Sequence, residues 1–181
     1  MLLLGSWGPQ KDLPGILGAL TAAHDQGGRF RVSVAGAINA HFPDYKREVD
    51  RTISKLDSGW FTSLGEVPES ELLRVVLGHD LLILPYNATG GYSGAMSLGA
   101  YCGTGIIAYD LPQLRESASL LGVRPVFIPK GDRDAAVTAI LAFCDNIVQF
   151  RATRARVPRP EFDAMARASV SRLLDGFSTS K

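Results

Sequence analysis

A loop rich in glycine and small polar residues precedes a short helical run in the middle of the chain. The loop runs from Tyr86 to Gly94, and the helical run Ala95–Cys102 follows it directly. A helix start has unpaired N–H groups and the positive end of the helix dipole, so it is a good place to bind a phosphate. Ser93 can add a hydroxyl donor there, and Gly94 lets the backbone approach an anion closely. The same residues also fit an ordinary helix N-cap at Ser93, with glycines that only shape the loop.

A lysine occurs in a second loop, near the start of the chain. The segment Gly5–Lys11 follows a predicted strand and opens a predicted helix. The ammonium of Lys11 could therefore pair with a diphosphate at the edge of a sheet, although it could also be a solvent-exposed residue of the first helical turn. A cation at a helix N-terminus opposes the dipole, and an anionic ligand would offset that cost. The loop matches neither GxGxxG nor GxxxxGK[ST], which disfavours a nicotinamide or ATP site.

Both loops belong to a regular alternation of predicted strands and helices. Apolar runs predict strands at Leu2–Gly5, Phe30–Ala35, Trp60–Leu64, Leu81–Pro85, Gly105–Tyr109 and Pro125–Ile128. Helical periodicity lies between them, with a helix that includes Val137–Val148 and is capped by Asp132. We therefore predict an α/β fold, with a Rossmann-like open parallel sheet and helices on both faces. In such sheets ligands bind at the carboxyl ends of the strands, near a topological switch point.

The composition is typical of one globular domain. The chain has 181 residues, of which 46% are hydrophobic and 20% charged, so we expect a single domain over residues 1–181. The net charge of +1 gives no support for nucleic-acid binding, and the late arginines are interpreted as a solvated helix end (Arg151, Arg154, Arg156 and Arg159). Cys102 and Cys144 fall in apolar helical patterns, which predicts buried thiols and a cytoplasmic location.

Histidines and tyrosines are the remaining candidates for chemistry. His24 is expected to be solvated, His41 to lie at the surface within possible reach of a ligand, and His79 to be structural. None has the spacing of a catalytic triad or a metal site. Tyr86 and Tyr92 fit either a pocket lining or aromatic packing.

Several short motifs follow one another in a familiar order. They are Gly5 to Lys11, Val34-Ala35-Gly36, Leu64–Leu72, Asp80–Tyr86, Ser93-Gly94, Ile106–Asp110, Leu114-Arg115-Glu116 and Ile128–Asp132. Together they resemble, over nearly the whole chain, the donor-binding half of glycosyltransferases with the two-domain GT-B architecture. The most similar group is the large family 4 of retaining enzymes (glycosyl transferases group 1).

This resemblance implies a function and assigns roles by position. Such enzymes transfer a sugar, with retained anomeric configuration, from a nucleotide-diphosphate sugar to a glycan or lipid-linked acceptor. Lys11 resembles the lysine that holds the donor diphosphate, and Ser93, Gly94 and Ala95 resemble the helix start that receives the distal phosphate. The residues expected to line the donor pocket are Ser6, Gly36, Gly65, Glu66, Val67, Tyr86, Gly91, Tyr92 and Glu116. Neither a metal nor another cofactor is implied, and no catalytic residue is assigned.

Two features depart from the family pattern. Its members usually carry two glutamates eight positions apart, and those positions fall on Gly90 and Leu98 here. Sub-groups with a Ser-Gly pair in place of the glutamate pattern do resemble this sequence. An arginine usual after the first glycine is replaced by Ser6. Two functions therefore stay open: the donor domain of an active glycosyltransferase, and a non-catalytic module that binds a nucleotide sugar or another phosphorylated ligand.

The resemblance also implies a partner domain. Family members bind the acceptor on an N-terminal domain, whereas this chain begins at the first strand of the second domain. We expect that N-terminal domain in cis or as a separate chain, with no sugar transfer by the 181-residue chain alone. The last helix, around residues 161–177, resembles the family's closing helix, which packs back across the partner domain. Contact of the missing domain with the inner face of the membrane stays open.

Overall fold

The computed structural model describes residues 1–89 and 92–154, in which strands and helices alternate. The strands are β1 (Leu2–Leu4), β2 (Val32–Ala35), β3 (Phe61–Gly65), β4 (Leu81–Leu84), β5 (Gly105–Tyr109) and β6 (Val126–Ile128). The helices are α1 (Leu13–Asp25), α2 (Pro43–Ile53), α3 (Glu69–Leu77), α4 (Gly94–Tyr101), α5 (Pro112–Leu121), α6 (Arg133–Asp145) and α7 (Ile147–Arg154). Gly90, Gly91, Arg156, Arg159 and the predicted closing helix lie outside the described residues.

The six strands form one parallel sheet in the order β3-β2-β1-β4-β5-β6. The chain moves outward in one direction from β1 to β3 and then crosses back to β4, beside β1. This reversal makes the β1/β4 boundary the topological switch point of the sheet. The α/β fold predicted from the apolar runs is confirmed, and the loops after β1 and β4 are neighbours.

Helices cover both faces of the sheet. On one face Leu3, Val34 and Ile83 pack with helices α1, α2 and α6. On the other face Leu82 and Ala108 pack with helices α3, α4 and α5. Because successive strand residues point to opposite faces, continuous apolar runs satisfy both layers at once.

The long helix predicted through Val148 is wrong at its end. Helix α6 stops at Asp145, and α7 begins at Ile147 with a bend of 66° between the two. The side chain of Asn146 donates to the carbonyl of Ala142 at 2.8 Å, so it competes with continuation of the helix. Val148 is consequently 78% exposed rather than on the buried stripe. No single helix in the described part of the chain has the length and apolarity to cross a membrane; α6 and α7 pass that test only as a bent pair, by length and composition.

The prediction of a solvated arginine cluster is wrong for Arg154. Its side chain is only 17% exposed, and its guanidinium donates to the carbonyls of Leu77, His79 and Cys102 at 3.4, 2.8 and 3.2 Å. Those carbonyls lie at the C-terminal ends of α3 and α4, where a cation also complements the helix dipoles. Arg154 therefore caps two helices at once.

Three further expectations about single residues can be compared with the structure. His79 is structural as predicted, since Nδ1 lies 2.6 Å from the Val75 carbonyl and Nε2 lies 2.9 Å from Ser33 Oγ. His24 is not simply solvated, because its ring stacks on Trp60 with centroids 4.9 Å apart. Of the two thiols, Cys102 is buried as predicted and Cys144 is half-buried.

Candidate functional site

Backbone hydrogen bonds join the loops after β1 and β4. Lys11 and Tyr86 form an antiparallel bridge. The amide of Asp12 donates to the Pro85 carbonyl at 2.7 Å, and that of Asn87 donates to the Gln10 carbonyl at 2.8 Å. The two segments singled out from the sequence therefore form one continuous surface at the switch point.

Lys11 is a half-buried cation at this junction. Its Nζ donates to the Ser6 carbonyl at 2.9 Å and lies 5.5 Å and 5.0 Å from the ring centroids of Trp7 and Tyr86. Within residues 1–89 and 92–154, no carboxylate forms an ion pair with it. Burial lowers the pKa of Lys11 from 10.5 to about 8. The ammonium is thus desolvated without a counter-ion, which favours an anionic ligand.

Two glycines make room for this arrangement. A Cβ at Gly5 would lie 2.3 Å from Lys11 Nζ, so any other residue there would displace the ammonium. Gly36 has a φ of 110°, and a Cβ there would lie 1.8 Å from the Gly5 carbonyl oxygen. The loop after β2 thus packs directly on the backbone after β1, and Gly36 is the residue that makes this contact with the loop carrying Lys11.

Ser93 caps the helix that follows the second loop. Its Oγ accepts from the Met96 amide at 3.2 Å and lies 3.1 Å from the Tyr86 hydroxyl. Ser93 is only 4% exposed, so its hydroxyl serves the cap, the structural alternative raised by the sequence. The next two amides, of Gly94 and Ala95, have no acceptor among the described residues. They are the donors that α4 offers to an anion.

A second layer of contacts, which the sequence did not reveal, fixes the backbone that carries Lys11. The Tyr45 hydroxyl donates to the Lys11 carbonyl at 2.7 Å. Asp12 caps α1 by accepting from the Gly15 amide at 2.9 Å and also accepts from the Tyr109 hydroxyl at 2.7 Å. Burial and the Asp12 carboxylate raise the pKa of Tyr109, and burial raises the pKa of Tyr45 to about 12, so both phenols stay protonated donors. The Asp-x-Pro sequence before α1 was a signal for the cap at Asp12, whereas nothing local pointed to the tyrosines.

The predicted pocket residues differ in exposure. Ser6 and Glu66 are exposed, Gly36 and Val67 are half-buried, and Gly65 adopts a φ of 64°. Gly65 is the last residue of β3, and the other four follow β1, β2 or β3, so all five lie at the same edge of the sheet as Lys11.

Three other pocket predictions fall on α5 and the β4 loop. Tyr86 is 6% exposed and lies against Lys11, whereas Tyr92 is 66% exposed. Glu116 is exposed on α5. Leu98, at one position of the expected acidic pair, packs in the apolar layer beneath α4. Gly90 and Gly91 lie outside the described residues.

A cavity of about 450 Å³ opens at the opposite, amino edge of the sheet. Its lining includes Arg29, Arg31, Asp80 and Arg151. Arg151 pairs with Asp80 at 2.8 Å and holds the pKa of that carboxyl below its usual value. The candidate site is therefore a surface at the carboxyl edge, and this cavity is separate from it. No group of three His, Cys, Asp or Glu residues converges on a metal-sized site in the part of the chain described here.

Comparison with known proteins shows similarity only at the level of structure. No protein-family model and no curated protein matches the sequence. HepE from Anabaena, solved with UDP, superposes with a TM-score of 0.73 at 16% identity, covering 98% of this chain and 48% of HepE. Trehalose-6-phosphate synthase, from a study of glycosyl transfer with retention, gives 0.68 at 12% identity, covering 93% and 41%. S. aureus TarM, solved with UDP, gives 0.65 at 11% identity, covering 93% and 31%.

These neighbours are glycosyltransferases of the GT-B architecture, and the chain spans about half the length of HepE (48%) and less of the others. At such low identities the likeness concerns the fold. The chain therefore has the Rossmann-like fold of one half of a GT-B glycosyltransferase.

Proposed function

We propose that the chain is the donor-binding domain of a retaining glycosyltransferase, and that it binds a nucleotide-diphosphate sugar at the β1/β4 edge. The observation that carries this proposal is the Lys11 ammonium, which is half-buried, has no carboxylate partner in the described part of the chain and is linked through Tyr86 to Ser93, the N-cap of α4. A diphosphate supplies the missing negative charge to both features. The UDP-bound neighbours of the same fold support the choice of ligand class.

The chemistry expected of these groups is electrostatic. During transfer the bond between the anomeric carbon and the diphosphate oxygen breaks, and the acceptor oxygen bonds to that carbon. The proton of the acceptor hydroxyl passes to water or to the departing diphosphate. Negative charge then accumulates on the departing diphosphate. Lys11 and the amides of Gly94 and Ala95 would stabilise it, and fixed donors of this kind each contribute roughly 10²- to 10³-fold in rate. No metal or other cofactor is needed for this role.

The nucleoside would lie beside the diphosphate, towards β2 and β3. The turns at Gly36 and Gly65–Val67 end those strands at the same edge of the sheet, and the amide of Gly36 donates to the Gly65 carbonyl at 2.6 Å. These turns expose mainly backbone groups and side chains, which could form hydrogen bonds with the edge of a base and with a ribose. Ser6 and Tyr92 are exposed on the flanking loops and complete the proposed lining.

Nucleotide titration tests the donor site directly. UDP, GDP and ADP, each with and without a sugar, would be added to the ¹⁵N-labelled chain while amide shifts and the Lys11 side-chain signal are followed. We expect one base to perturb Lys11, Gly94 and Ala95, and Lys11→Met to weaken that binding at least tenfold. The donor-site proposal fails if every nucleotide leaves those three positions unmoved.

We further propose that transfer requires an N-terminal GT-B domain and takes place in the cytoplasm, either free or at the inner face of the membrane. The 48% coverage of HepE leaves room for such a domain in a full enzyme. The chain alone is expected to bind donor and transfer nothing, and addition of EDTA is expected to leave binding unchanged. Sugar transfer to any acceptor by the purified 181-residue chain would contradict this part of the proposal.

A second candidate is a non-catalytic module that binds a nucleotide sugar or another phosphorylated ligand. Its support is Leu98, a half-buried apolar residue that packs against the core on the α4 side, at a position where an acidic residue is expected in the family. Assay of the chain joined to its N-terminal half separates the two functions. Binding of the donor with no turnover on any glycan or lipid-linked acceptor would favour the module.

A further inference from the structure

Tyr86 touches both halves of the proposed diphosphate site. We propose that it is a positioning residue, whose ring holds the Lys11 ammonium and whose hydroxyl fixes the cap of α4 at Ser93, so that the two halves move together. This inference rests on the proposed function for the identity of the ligand. The mechanical link itself rests on contacts within the chain.

The link to Lys11 has a backbone part and a side-chain part. Tyr86 and Lys11 are paired across the antiparallel bridge, which fixes the distance between the two loops. The Tyr86 ring centroid lies 5.0 Å from Lys11 Nζ, within the range of a cation–π contact. Trp7 approaches the same ammonium at 5.5 Å, and the Ser6 carbonyl accepts from it at 2.9 Å. The ammonium is therefore held by two rings and one carbonyl.

The link to α4 runs through one hydroxyl pair. Tyr86 is 6% exposed, and within the described residues its hydroxyl has the Ser93 oxygen as its partner, at 3.1 Å. Ser93 Oγ already accepts from the Met96 amide at 3.2 Å. A serine oxygen has two lone pairs, so it can accept from Met96 and Tyr86 together. Either hydroxyl can donate in this pair, and in both directions the bond satisfies the buried phenol and immobilises the cap.

Joint positioning follows from these contacts. Gly94 and Ala95 come directly after Ser93, so a shift of the cap redirects their amides. Because the same tyrosine holds Lys11, a shift of the cap also moves the ring beneath the ammonium. A diphosphate that engages both halves would then find them already oriented, which reduces the ordering needed on binding.

Two conservative substitutions test the link before any nucleotide is added. Ser93→Gly removes the hydroxyl that Tyr86 contacts, and glycine is tolerated at helix N-caps. Tyr86→Phe removes the tyrosine hydroxyl and keeps the ring. We expect Ser93→Gly to shift the Lys11 side-chain NMR signal in the protein that retains Tyr86, and to shift it much less in the Tyr86→Phe background. An unmoved Lys11 signal in the protein that retains Tyr86 would overturn the inference, as would equal shifts in both backgrounds.

UDP binding supplies a second readout with a matched control. Tyr86→Phe should weaken binding roughly 2- to 10-fold, with an effect that is not additive with that of Ser93→Gly. Tyr86→Leu should weaken it by roughly a further threefold, since the ring is lost as well. Phe127→Leu is the matched control. It removes a ring of the outermost strand β6, whose centroid lies 4.7 Å from Arg115 Cζ, and should change neither the Lys11 signal nor UDP binding. If Tyr86→Phe and Ser93→Gly weaken UDP binding additively, Tyr86 does not act as a positioning residue.

The two readouts separate this inference from the proposed function. If UDP, GDP and ADP all fail to bind the unaltered chain, the donor-site proposal is lost. The Lys11 signal in the four proteins made from Ser93→Gly and Tyr86→Phe still decides whether Tyr86 couples the two loops. Thermal unfolding of each variant checks that the fold is retained, and Tyr86→Phe keeps the test decisive if Tyr86→Leu does not fold.

Discussion

Replacing Lys11 by methionine should stabilise the fold near neutral pH, because the ammonium is desolvated without a counter-ion. Its pKa falls from 10.5 to about 8 in the folded chain, and burial is the cause. At about 1.4 kcal/mol per pH unit, this drop corresponds to about 3 kcal/mol of unfavourable free energy for the charged form. The side chain is only half-buried, so solvent screening reduces the expected gain to about 1–3 kcal/mol at pH 7. Methionine has a similar length and no charge to desolvate.

The gain should depend on pH with a definite sign. Between pH 8 and about 10.4 the unfolded lysine holds its proton while the folded one loses it. The unfolded state then binds more protons, so the free energy of unfolding of the unaltered chain rises with pH over this window. The methionine variant lacks that rise. The stability difference between the two proteins should therefore be largest at pH 7 and fall to roughly a quarter of that value by pH 10.

Urea denaturation of both proteins at pH 7 and pH 10 measures this difference. At pH 7 the variant's melting temperature should also rise, by roughly 3–10 °C for a domain of this size. Lys55→Met, at an exposed lysine, is the matched control and should change stability by less than about 0.5 kcal/mol at both pH values. A Lys11→Met protein that is destabilised at pH 7, or whose stability difference is the same at both pH values, would refute the reasoning.

Three other predictions concern the pH dependence of UDP binding, the packing of Gly36 and the hydrogen bonds of Arg154. Between about pH 7 and pH 8, where the terminal phosphate of UDP is already ionised, UDP affinity should be nearly constant. Above pH 8 it should fall up to about tenfold per pH unit, because the free Lys11 loses its proton there; titration calorimetry should show no such slope for Lys11→Met. Gly36→Ala should destabilise the chain by more than about 2 kcal/mol in urea unfolding, because the new Cβ would lie 1.8 Å from a backbone oxygen; Gly18→Ala, in open space on α1, should be neutral or stabilising. Arg154→Met should destabilise the chain by about 1–3 kcal/mol in urea unfolding, because three carbonyls lose their donor. Arg151→Met breaks a more exposed ion pair and should change the stability by less than about 1 kcal/mol in the same assay.

Residue patterns predicted the fold well because a parallel sheet has a strong local signature. The bounds of β5 coincide with the predicted strand Gly105–Tyr109, and those of β4 differ from the prediction by one residue. Alternation of strands and helices limits the possible sheet topologies to a few. In all of them ligands are expected at the carboxyl ends of the strands. The break at Asn146 was missed because helical periodicity continues through it, whereas the side chain of Asn146 bonds to the Ala142 carbonyl where the helix ends.

Of the candidate site, the sequence predicted only those features that follow from the position of a loop after a strand. Lys11 and Ser93 were expected at the same edge of the sheet because their loops follow predicted strands. The strand order, which the sequence did not give, places them on either side of Tyr86. The bond between Asp12 and Tyr109 joins residues 97 positions apart, and no periodicity encodes such a contact. The choice between cap and ligand donor at Ser93 likewise depends on burial, which the sequence pattern leaves open.

Helix α4 shows why these contacts are needed for a phosphate site. It has eight residues, begins with Gly94 and contains Gly99, so it has little intrinsic stability. Gly99 is required at its position, because a Cβ there would lie 2.9 Å from both Leu82 and Thr104. A helix this short keeps its N-terminal amides in place only if tertiary contacts hold both ends. The Ser93 cap holds one end, and Arg154, bonded to the Cys102 carbonyl, holds the other. If this edge binds an anion as proposed, we expect that binding to depend on an arginine at the far end of the helix.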